Sequence, residues 1–448
     1  MNKFLLITTV LLTSIFSTAN ASELDPKERL GEFIFFDQAL SINKNQACAA
    51  CHDPEVGWTG PNSTFNAHGA VYEGSIPGGF GNRKPPSSAY ATPSPILHLI
   101  NRRGDFVGGN FWDGRATGEK LGNPAADQAQ GPFLNPVEHA LPDSACVVER
   151  VCNSLTYPDF FTSVWGTGAC DISWPADINT QCASIDGMVM LPDDERAKSD
   201  LAYDYIALSI AAYEDSSVVN QFTSKFDSFL ERSVRLSAQE RRGMRLFNGK
   251  GKCARCHTSG MMRRGGKPLF TDFTYDNLGV PRNPENPFYT QLEFNPMGMD
   301  WVDLGLGGFL ESRVDYQQYA PQNYGKQKVP TLRNVDKRPY PEFVKAFSHN
   351  GYFKSLKSIV HFYNTRDVKP RCSDPFTTEA QALAQGCWPE PEVPNNVNTA
   401  ELGDLKLTDA EEDAIVAFMK TLSDGYMEVS TSDDDNSDDD DDDDDDND

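Results

Sequence analysis

A five-residue motif, Cys-x-x-Cys-His, occurs twice in this chain, at residues 48–52 and 253–257. It is the attachment signal for c-type haem, in which both sulfurs bond to the porphyrin and the histidine ligates the iron. A redox dithiol or half of a zinc site would also use two such cysteines, but neither explains a histidine directly after each pair. The sequence therefore predicts two covalently attached haem c groups. The predicted attachment residues are Cys48, Cys51, His52, Cys253, Cys256 and His257, with His52 and His257 as iron ligands.

The N-terminus predicts export. A basic start at residues 1–3 is followed by an apolar run at 4–16 and by an Ala-x-Ala pattern at 19–21. This is the pattern of a secretory signal peptide, which we assign to residues 1–21. The run is too short for a retained membrane anchor, and no other stretch is long and apolar enough to span a bilayer. We expect a mature periplasmic protein, either free or associated with the cell surface.

The charge of the chain is strongly acidic and unevenly placed. Of the 448 residues, 65 are acidic and 40 are basic, which gives a formal net charge of −25. Thirteen of the aspartates lie in the final segment, 429–448, which cannot bury a core and is predicted to be disordered. Its role is left open between solubilisation, capture of divalent cations and docking onto a basic surface. Because the rest of the chain is also acidic, nucleic-acid binding is excluded, whereas a basic partner is permitted.

Six cysteines remain once the haem motifs are set aside, and an even number in an exported chain predicts three disulfides. Cys372 and Cys387 are the natural local pair. The pairing of the other four stays open, but together they mark residues 141–192 as a disulfide-tied insertion. Those four are Cys146, Cys152, Cys170 and Cys182.

Capped helices precede both haem motifs. Residues 25–28 (Asp-Pro-Lys-Glu) and 237–240 (Ser-Ala-Gln-Glu) have the side chains of a capping box, in which the first and fourth residues bond to each other's backbone. Apolar spacing predicts further helices over 201–213 and 219–230, and a third capping box at Thr408 opens a last helix. The order of capped helix, loop and haem motif thus occurs twice, which indicates an internal duplication.

The duplication predicts a mainly α fold with two cytochrome-c-like haem domains, long loops and few short strands. We place an N-terminal haem domain at residues 22–232 and a C-terminal haem domain at 233–428.

Seven stretches along the chain follow one another in a characteristic order. They are 30–37 (Leu-Gly-Glu-Phe-Ile-Phe-Phe-Asp), 111–116 (Phe-Trp-Asp-Gly-Arg-Ala), Gln128, 135–138 (Asn-Pro-Val-Glu), 329–335 (Val-Pro-Thr-Leu-Arg-Asn-Val), 349–351 (His-Asn-Gly) and 361–364 (His-Phe-Tyr-Asn). In this order the chain resembles the bacterial di-haem cytochrome c peroxidase and MauG family. The resemblance implies an enzyme that reacts hydrogen peroxide at the first haem and passes electrons through the second.

The resemblance also implies roles for particular residues. Glu138 matches the glutamate above the first haem, which takes a proton from the near peroxide oxygen and returns it to the far one. Gln128 matches a glutamine that hydrogen-bonds in the same pocket, and Trp112 matches a tryptophan that relays electrons between the haems. Arg115 is expected to pair with a haem propionate or an acidic neighbour, and His139 to be structural.

The first departure from the family concerns the far face of the first haem. Cytochrome c peroxidases of the family carry a loop histidine that caps this haem until the second is reduced. The corresponding region near Ile76 has no histidine, and the nearest candidate, His68, lies too early in the chain. The first haem is therefore expected to be open, as in the MauG branch. Lys84 stands where the family has an asparagine that helps to bind calcium, which weakens the case for a calcium ion.

The second departure concerns the far ligand of the second haem. Counting from His349 places Tyr363 where cytochrome c peroxidases have methionine and MauG has tyrosine. A phenolate is a hard anionic donor that lowers the reduction potential of iron, whereas a thioether raises it. His361, two residues away, is the rival ligand.

These features favour a periplasmic, MauG-like di-haem oxidoreductase that uses hydrogen peroxide and oxidises a partner protein. One alternative is a cytochrome c peroxidase that detoxifies peroxide with electrons from a small carrier protein. Another, from a different class, is a di-haem electron carrier without peroxide chemistry, in which the first haem would have ligands on both faces.

Overall fold

The computed structural model describes residues 23–102, 104–260 and 266–428. The predicted signal peptide and the aspartate-rich segment therefore lie outside the described residues. None of the described helices is long and apolar enough to cross a membrane.

The described chain is mainly helical, as predicted, with only four two-residue strands. The helices are α1 (Pro26–Phe35), α2 (Ser63–Ala67), α3 (Pro124–Leu134), α4 (Ser144–Cys152), α5 (Pro158–Trp165), α6 (Ile178–Gln181), α7 (Asp193–Asp215), α8 (Lys225–Leu230), α9 (Ala238–Asn248), α10 (Gly305–Glu311), α11 (Leu356–Thr365), α12 (Glu379–Gln385) and α13 (Asp409–Lys420). The strands are β1 (His98–Leu99), β2 (Phe106–Val107), β3 (Tyr275–Asp276) and β4 (Gln327–Lys328), and they form two antiparallel pairs, β1 with β2 and β3 with β4.

The predicted helix starts before the haem motifs are confirmed. Asp25 and Glu28 form a complete capping box at α1, and Ser237 and Glu240 form one at α9. One prediction is wrong in extent: the helix expected over 219–230 begins only at Lys225. The backbone of Phe222 is in the left-handed region, with φ at 51°, and the Ser224 hydroxyl caps α8 instead.

Each half is built around one close crossing of two helices. In the first half α1 crosses α7, and in the second half α9 crosses α13. A glycine lies at each crossing: a Cβ added at Gly31 would lie 1.9 Å from the carbonyl oxygen of Ser209, and one added at Gly243 would lie 1.8 Å from that of Ala414. The two halves therefore share the same packing device, which agrees with the predicted duplication.

Two large hydrophobic clusters accompany these crossings. The first includes Leu30 and Phe35 of α1 together with Ile206 of α7, and the second includes Phe247 of α9 and Phe418 of α13. Helix α8 lies ahead of the predicted boundary at 232, yet its Phe226 belongs to the second cluster. The domain division remains a proposal, and this packing favours a C-terminal unit that begins with α8.

All six cysteines outside the haem motifs are in disulfides. The predicted Cys372–Cys387 bridge is confirmed. Within the predicted insertion, the open pairing is resolved as two nested bridges, Cys146–Cys182 and Cys152–Cys170. Helix α4 of this insertion has its valines buried in the first cluster, so the insertion is part of the core rather than a peripheral loop.

Replacement of either crossing glycine by alanine is expected to destabilise the protein. The new methyl group would collide with a backbone carbonyl, so the helices must separate, at a cost of about 3 kcal/mol. The measurement is the free energy of unfolding of Gly31→Ala and Gly243→Ala in urea, followed by circular dichroism. Gly168→Ala is the matched control, because a Cβ there meets no atom within 4 Å. Equal stability of all three variants would contradict the proposed crossings.

Candidate active site

The first haem motif lies in a single 3-10 turn, Cys48–Ala50, which the packing of α1 and the loop after it hold in place. The backbone N–H of His52 donates to the carbonyl of Cys48 at 3.0 Å, so the histidine projects from the same turn as the cysteines. The motif opens into a cavity that is also lined by Gln128 and Glu138. The structure thus brings both predicted polar residues to the cavity that holds the motif.

Helix α3 and the turn after it position these two side chains. Gln128 lies in the middle of α3, which Asn123 caps at its start. Glu138 lies in the turn that follows the helix, where the side-chain amide of Asn135 donates to its carboxylate at 2.8 Å. Burial raises the pKa of Glu138, and this effect is opposed by the positive charge of Arg115 and by the bond from Asn135. A carboxyl group with a raised pKa keeps its proton to a higher pH than a free one, which suits a group that takes up and returns protons.

The second motif has the same local geometry. Cys253–Arg255 forms a 3-10 turn, and the N–H of His257 donates to the carbonyl of Cys253 at 2.9 Å. It opens into a cavity of about 230 Å³ that extends to the surface. Tyr363 of α11 and Met419 of α13 line this cavity together with the motif.

The residues present fit a c-type haem in both cavities. The four motif cysteines are the free cysteines of the described chain, so their sulfurs are available for attachment; they are Cys48, Cys51, Cys253 and Cys256. His52 Nδ1 lies 3.2 Å from the carbonyl oxygen of Trp58, and His257 Nδ1 lies 2.8 Å from that of Phe270. Because a carbonyl only accepts, each Nδ1 carries the hydrogen and each Nε2 keeps a lone pair for a metal. Burial also lowers the pKa of His52 to about 4, so its ring is neutral at physiological pH.

Trp112 lies where the two haem cavities meet. Its side chain is buried, and it lines the cavity of the second motif. It also lines the cavity of the first motif and a third, adjoining cavity that shares His52 with it. The indole N–H donates to the carbonyl of Lys84 at 2.8 Å, and the ring meets the edge of His349 at a centroid distance of 6.4 Å. One aromatic side chain therefore lines both cavities, and its role as an electron relay stays a prediction.

The rival ligands named from the sequence have other partners. His68 is largely exposed, and its Nδ1 is 2.9 Å from Glu285. His361 Nδ1 is 3.0 Å from Glu412, and neither histidine is among the residues that line the three cavities. His139 is buried with its Nδ1 bonded to the carbonyl of Leu40, as expected for a structural residue. Met419, which carries a thioether sulfur, also lines the second cavity and was not named as a ligand from the sequence.

Arg115 pairs with an acidic neighbour, one of its two predicted partners. Its guanidinium donates to the Asp113 carboxylate at 2.9 Å and stacks on the ring of Phe111 at 3.7 Å. Asp113 also accepts from Arg83 at 2.6 Å, and Arg83 makes a two-pronged bond to Asp303 in the second half of the chain. This buried network joins the two halves at the rim of the first cavity.

Three lysines near the shared wall were not predicted as a group: Lys84 and Lys345 are buried, and Lys328 is half-buried. Lys84 Nζ donates to Thr59 Oγ1 and to the carbonyl of Pro85, both at 2.9 Å, and Lys345 Nζ donates to three carbonyls. Lys328 Nζ is likewise surrounded by neutral oxygens, including the Ser94 hydroxyl at 2.5 Å. Burial lowers the pKa of Lys84 to about 8 and that of Lys328 to about 7. Only Lys84 carried a signal in the sequence, because it stands where the family has an asparagine. For the other two lysines, nothing in the local sequence indicates burial.

The fold and the paired motifs define a di-haem c-type protein. The family model described as di-haem cytochrome c peroxidase matches residues 25–235. The chain is 34% identical over 404 residues to the methylamine utilization protein MauG of Paracoccus denitrificans (strain Pd 1222), covering 89% of each chain. It is 27% identical to the cytochrome-c peroxidase IdrP2 of Denitromonas iodatirespirans, covering 90% of this chain and 83% of that one.

A solved structure agrees with these relatives. The di-haem peroxidase BthA from Burkholderia thailandensis E264 aligns with a TM-score of 0.65 and 28% identity, over 90% of this chain and 87% of that one. The chain therefore belongs to the di-haem cytochrome c peroxidase family. It is an oxidoreductase of the di-haem peroxidase type with two haem c groups.

Loss of the Arg83 side chain is expected to destabilise the protein in a pH-dependent way. Arg83→Met would leave the buried Asp303 carboxylate without its arginine partner and Asp113 with Arg115 alone, at a cost of about 3–5 kcal/mol at pH 7. Arg83 holds the pKa values of Asp113 and Asp303 below their usual range. A carboxyl with a lowered folded pKa stabilises the fold above its unfolded pKa of about 3.9 and loses that effect as the pH falls.

The stability difference between wild type and Arg83→Met should therefore be largest at pH 7 and shrink below about pH 4. The measurement is urea denaturation of both proteins at pH 7 and again at a pH below about 4. Arg371→Met is the control, because its ion pair with Glu390 is 3.5 Å long and exposed, so its loss should cost less than about 1 kcal/mol. A difference that is the same at both pH values would contradict the ionic role of Arg83.

Proposed function

We propose that this protein is an exported, MauG-like enzyme that reacts hydrogen peroxide at the first haem site and shares the oxidising equivalents with the second. The observation that supports this most directly is the position of Trp112, which lines both haem cavities. The presence of Gln128 and Glu138 in the cavity of the first motif supports assigning the peroxide chemistry to that half.

The haem, when bound to His52, supplies the iron at which peroxide is reduced. Peroxide reduction takes two electrons and two protons for each molecule, so a group beside the iron must move protons. Glu138 accepts the proton of the near oxygen and returns it to the far oxygen, which leaves as water. Asn135 holds the Glu138 carboxylate at 2.8 Å, and Gln128 lines the same cavity as a second hydrogen-bonding group.

The second site is proposed to store charge. His257 and Tyr363 are its iron ligands in this proposal, and a phenol oxygen there favours the oxidised states of iron. Burial raises the pKa of Tyr363 above its usual range, so the free phenol keeps its proton until a metal displaces it. Trp112 provides a stepping position between the two sites because it is buried and belongs to both walls.

The proposed electron source is a periplasmic partner protein. The enzyme would oxidise side chains of that protein. A small electron-carrier protein is the alternative donor, favoured by the relatives named as cytochrome-c peroxidases. A calcium ion between the haems is disfavoured, because the Lys84 ammonium brings a buried positive charge to the wall that both cavities share.

Glu138→Gln is expected to slow the reaction with peroxide by about 10²–10⁴-fold, since an amide cannot take up and return the proton. The measurement is stopped-flow recording of the haem Soret band after mixing the oxidised holoenzyme with hydrogen peroxide. Glu55→Gln is the matched control, because Glu55 is exposed outside the cavity. An unchanged rate in Glu138→Gln would remove Glu138 from the chemistry, and an absence of any peroxide reaction in the wild type would favour an electron carrier.

Tyr363→Phe is expected to change the spectrum of the second haem and to leave that of the first unaltered. The change should appear as a loss of the low-spin signal in electron paramagnetic resonance of the oxidised protein. Met419→Leu is the control, because Met419 lines the same cavity and carries the alternative donor atom. A low-spin signal that survives in Tyr363→Phe and disappears in Met419→Leu would assign the ligand to methionine instead.

A further inference from the structure

Helix α9 and the second haem motif form a strongly basic surface on an acidic protein. The segment 232–255 contains eight basic residues and a single acidic one, Glu240, although the whole chain carries a net charge of −25. The basic residues are Arg232, Arg235, Arg241, Arg242, Arg245, Lys250, Lys252 and Arg255. We call this set the α9 basic surface.

Most of the positive charge on this surface has no acidic partner among the described residues. Arg242 and Lys250 share Glu411, and Arg255 pairs with Glu401. The only acidic residue of the segment is already neutralised, because Glu240 accepts from Lys225 at 2.8 Å. The remaining members, which include the exposed Arg235 and Arg245, make no ion pair in the described chain.

The described chain ends beside this surface. Helix α13 packs along α9, and the residues after it return to α8, where the N–H of Tyr426 donates to the carbonyl of Thr223 at 3.0 Å. The Tyr426 ring lies 6.0 Å from Lys225 Nζ, which is the ion-pair partner of Glu240 in the first turn of α9. The chain therefore leaves its described part, at Glu428, close to the start of the basic surface.

From these observations we infer that the terminal segment 429–448 folds back onto the α9 basic surface of its own chain. Its thirteen aspartates supply the negative charge that the surface lacks. The first of them, Asp433, lies five residues beyond Glu428, a reach of about 17 Å for an extended chain. Helix α9 is about 16 Å long, so the aspartates can reach its whole length.

The consequence concerns the charge beside the second haem site. Lys252 directly precedes Cys253 and Arg255 directly precedes Cys256, so a docked segment places aspartates next to that attachment site. An acidic partner would be repelled there, and a basic one attracted, as long as the segment remains in place. The sign of the charge that a partner meets at the second haem is therefore set by the last twenty residues.

The test uses a fluorescein-labelled synthetic peptide with the sequence of residues 431–448. It is titrated against the full-length holoenzyme and against a tail-neutral holoenzyme, in which the thirteen aspartates are replaced by serine. Fluorescence anisotropy at low ionic strength should show binding to the tail-neutral protein that is about tenfold tighter than to the wild type, since several exposed ion pairs act together. Raising the salt from 0.01 M to 1 M, which shortens the screening length from about 30 Å to 3 Å, should abolish the binding.

The surface is tested by a charge-matched pair of double variants in the tail-neutral protein. Arg235→Gln with Arg245→Gln should weaken peptide binding about tenfold. Lys44→Gln with Arg102→Gln removes two exposed cations of the first half and should leave binding unchanged. Equal binding to the wild-type and tail-neutral proteins would overturn the inference and leave the surface open for an acidic partner. Equal effects of the two double variants, or a wild type that sediments as a salt-sensitive dimer, would also overturn it.

Discussion

The close approach of two helices in each half is the constraint on which the rest of the structure depends. At Gly31 and at Gly243 there is room for a hydrogen atom and for nothing larger, because a backbone carbonyl of the partner helix occupies the space. This approach fixes α1 and α9 against their partner helices, and each of the two is followed by a loop and then by a haem motif. The rings of the attachment histidines are held in turn by the bonds from their Nδ1 atoms to the carbonyls of Trp58 and Phe270.

The two haem cavities are joined by a wall that is polar at its rim and aromatic at its centre. Trp112 faces both cavities, while Arg83 links carboxylates from the two halves with bonds of 2.6 Å. Such a bond network costs desolvation energy, which is offset only by good geometry, so it resists relative movement of the halves. A fixed separation is what the proposed stepwise electron transfer through Trp112 requires.

The basic side chains inside the wall between the cavities and those on the outer surface lie in different environments. Inside, the side-chain nitrogens of Lys84, Lys328 and Lys345 are bonded to neutral oxygens, and burial lowers the pKa of each. Outside, the α9 basic surface contrasts with a net charge of −25. The outer surface therefore places positive charge beside the second haem motif of an acidic protein, where it attracts anionic groups.

The sequence alone determined the haem attachment, the helical class, the capped helix before each motif and the Cys372–Cys387 bridge, because these depend on local spacing. The family resemblance also identified Glu138, Gln128 and Trp112 as candidate site residues, and their roles remain proposals. The helix predicted over 219–230 is shorter in the structure. The left-handed Phe222 and the Ser224 cap place its start at Lys225. Only the tertiary structure decided the pairing of the four insertion cysteines, the burial of Lys84 and Lys345 and the entry of Met419 into the second cavity. Each of these depends on contacts between residues far apart in the chain, which no local pattern encodes.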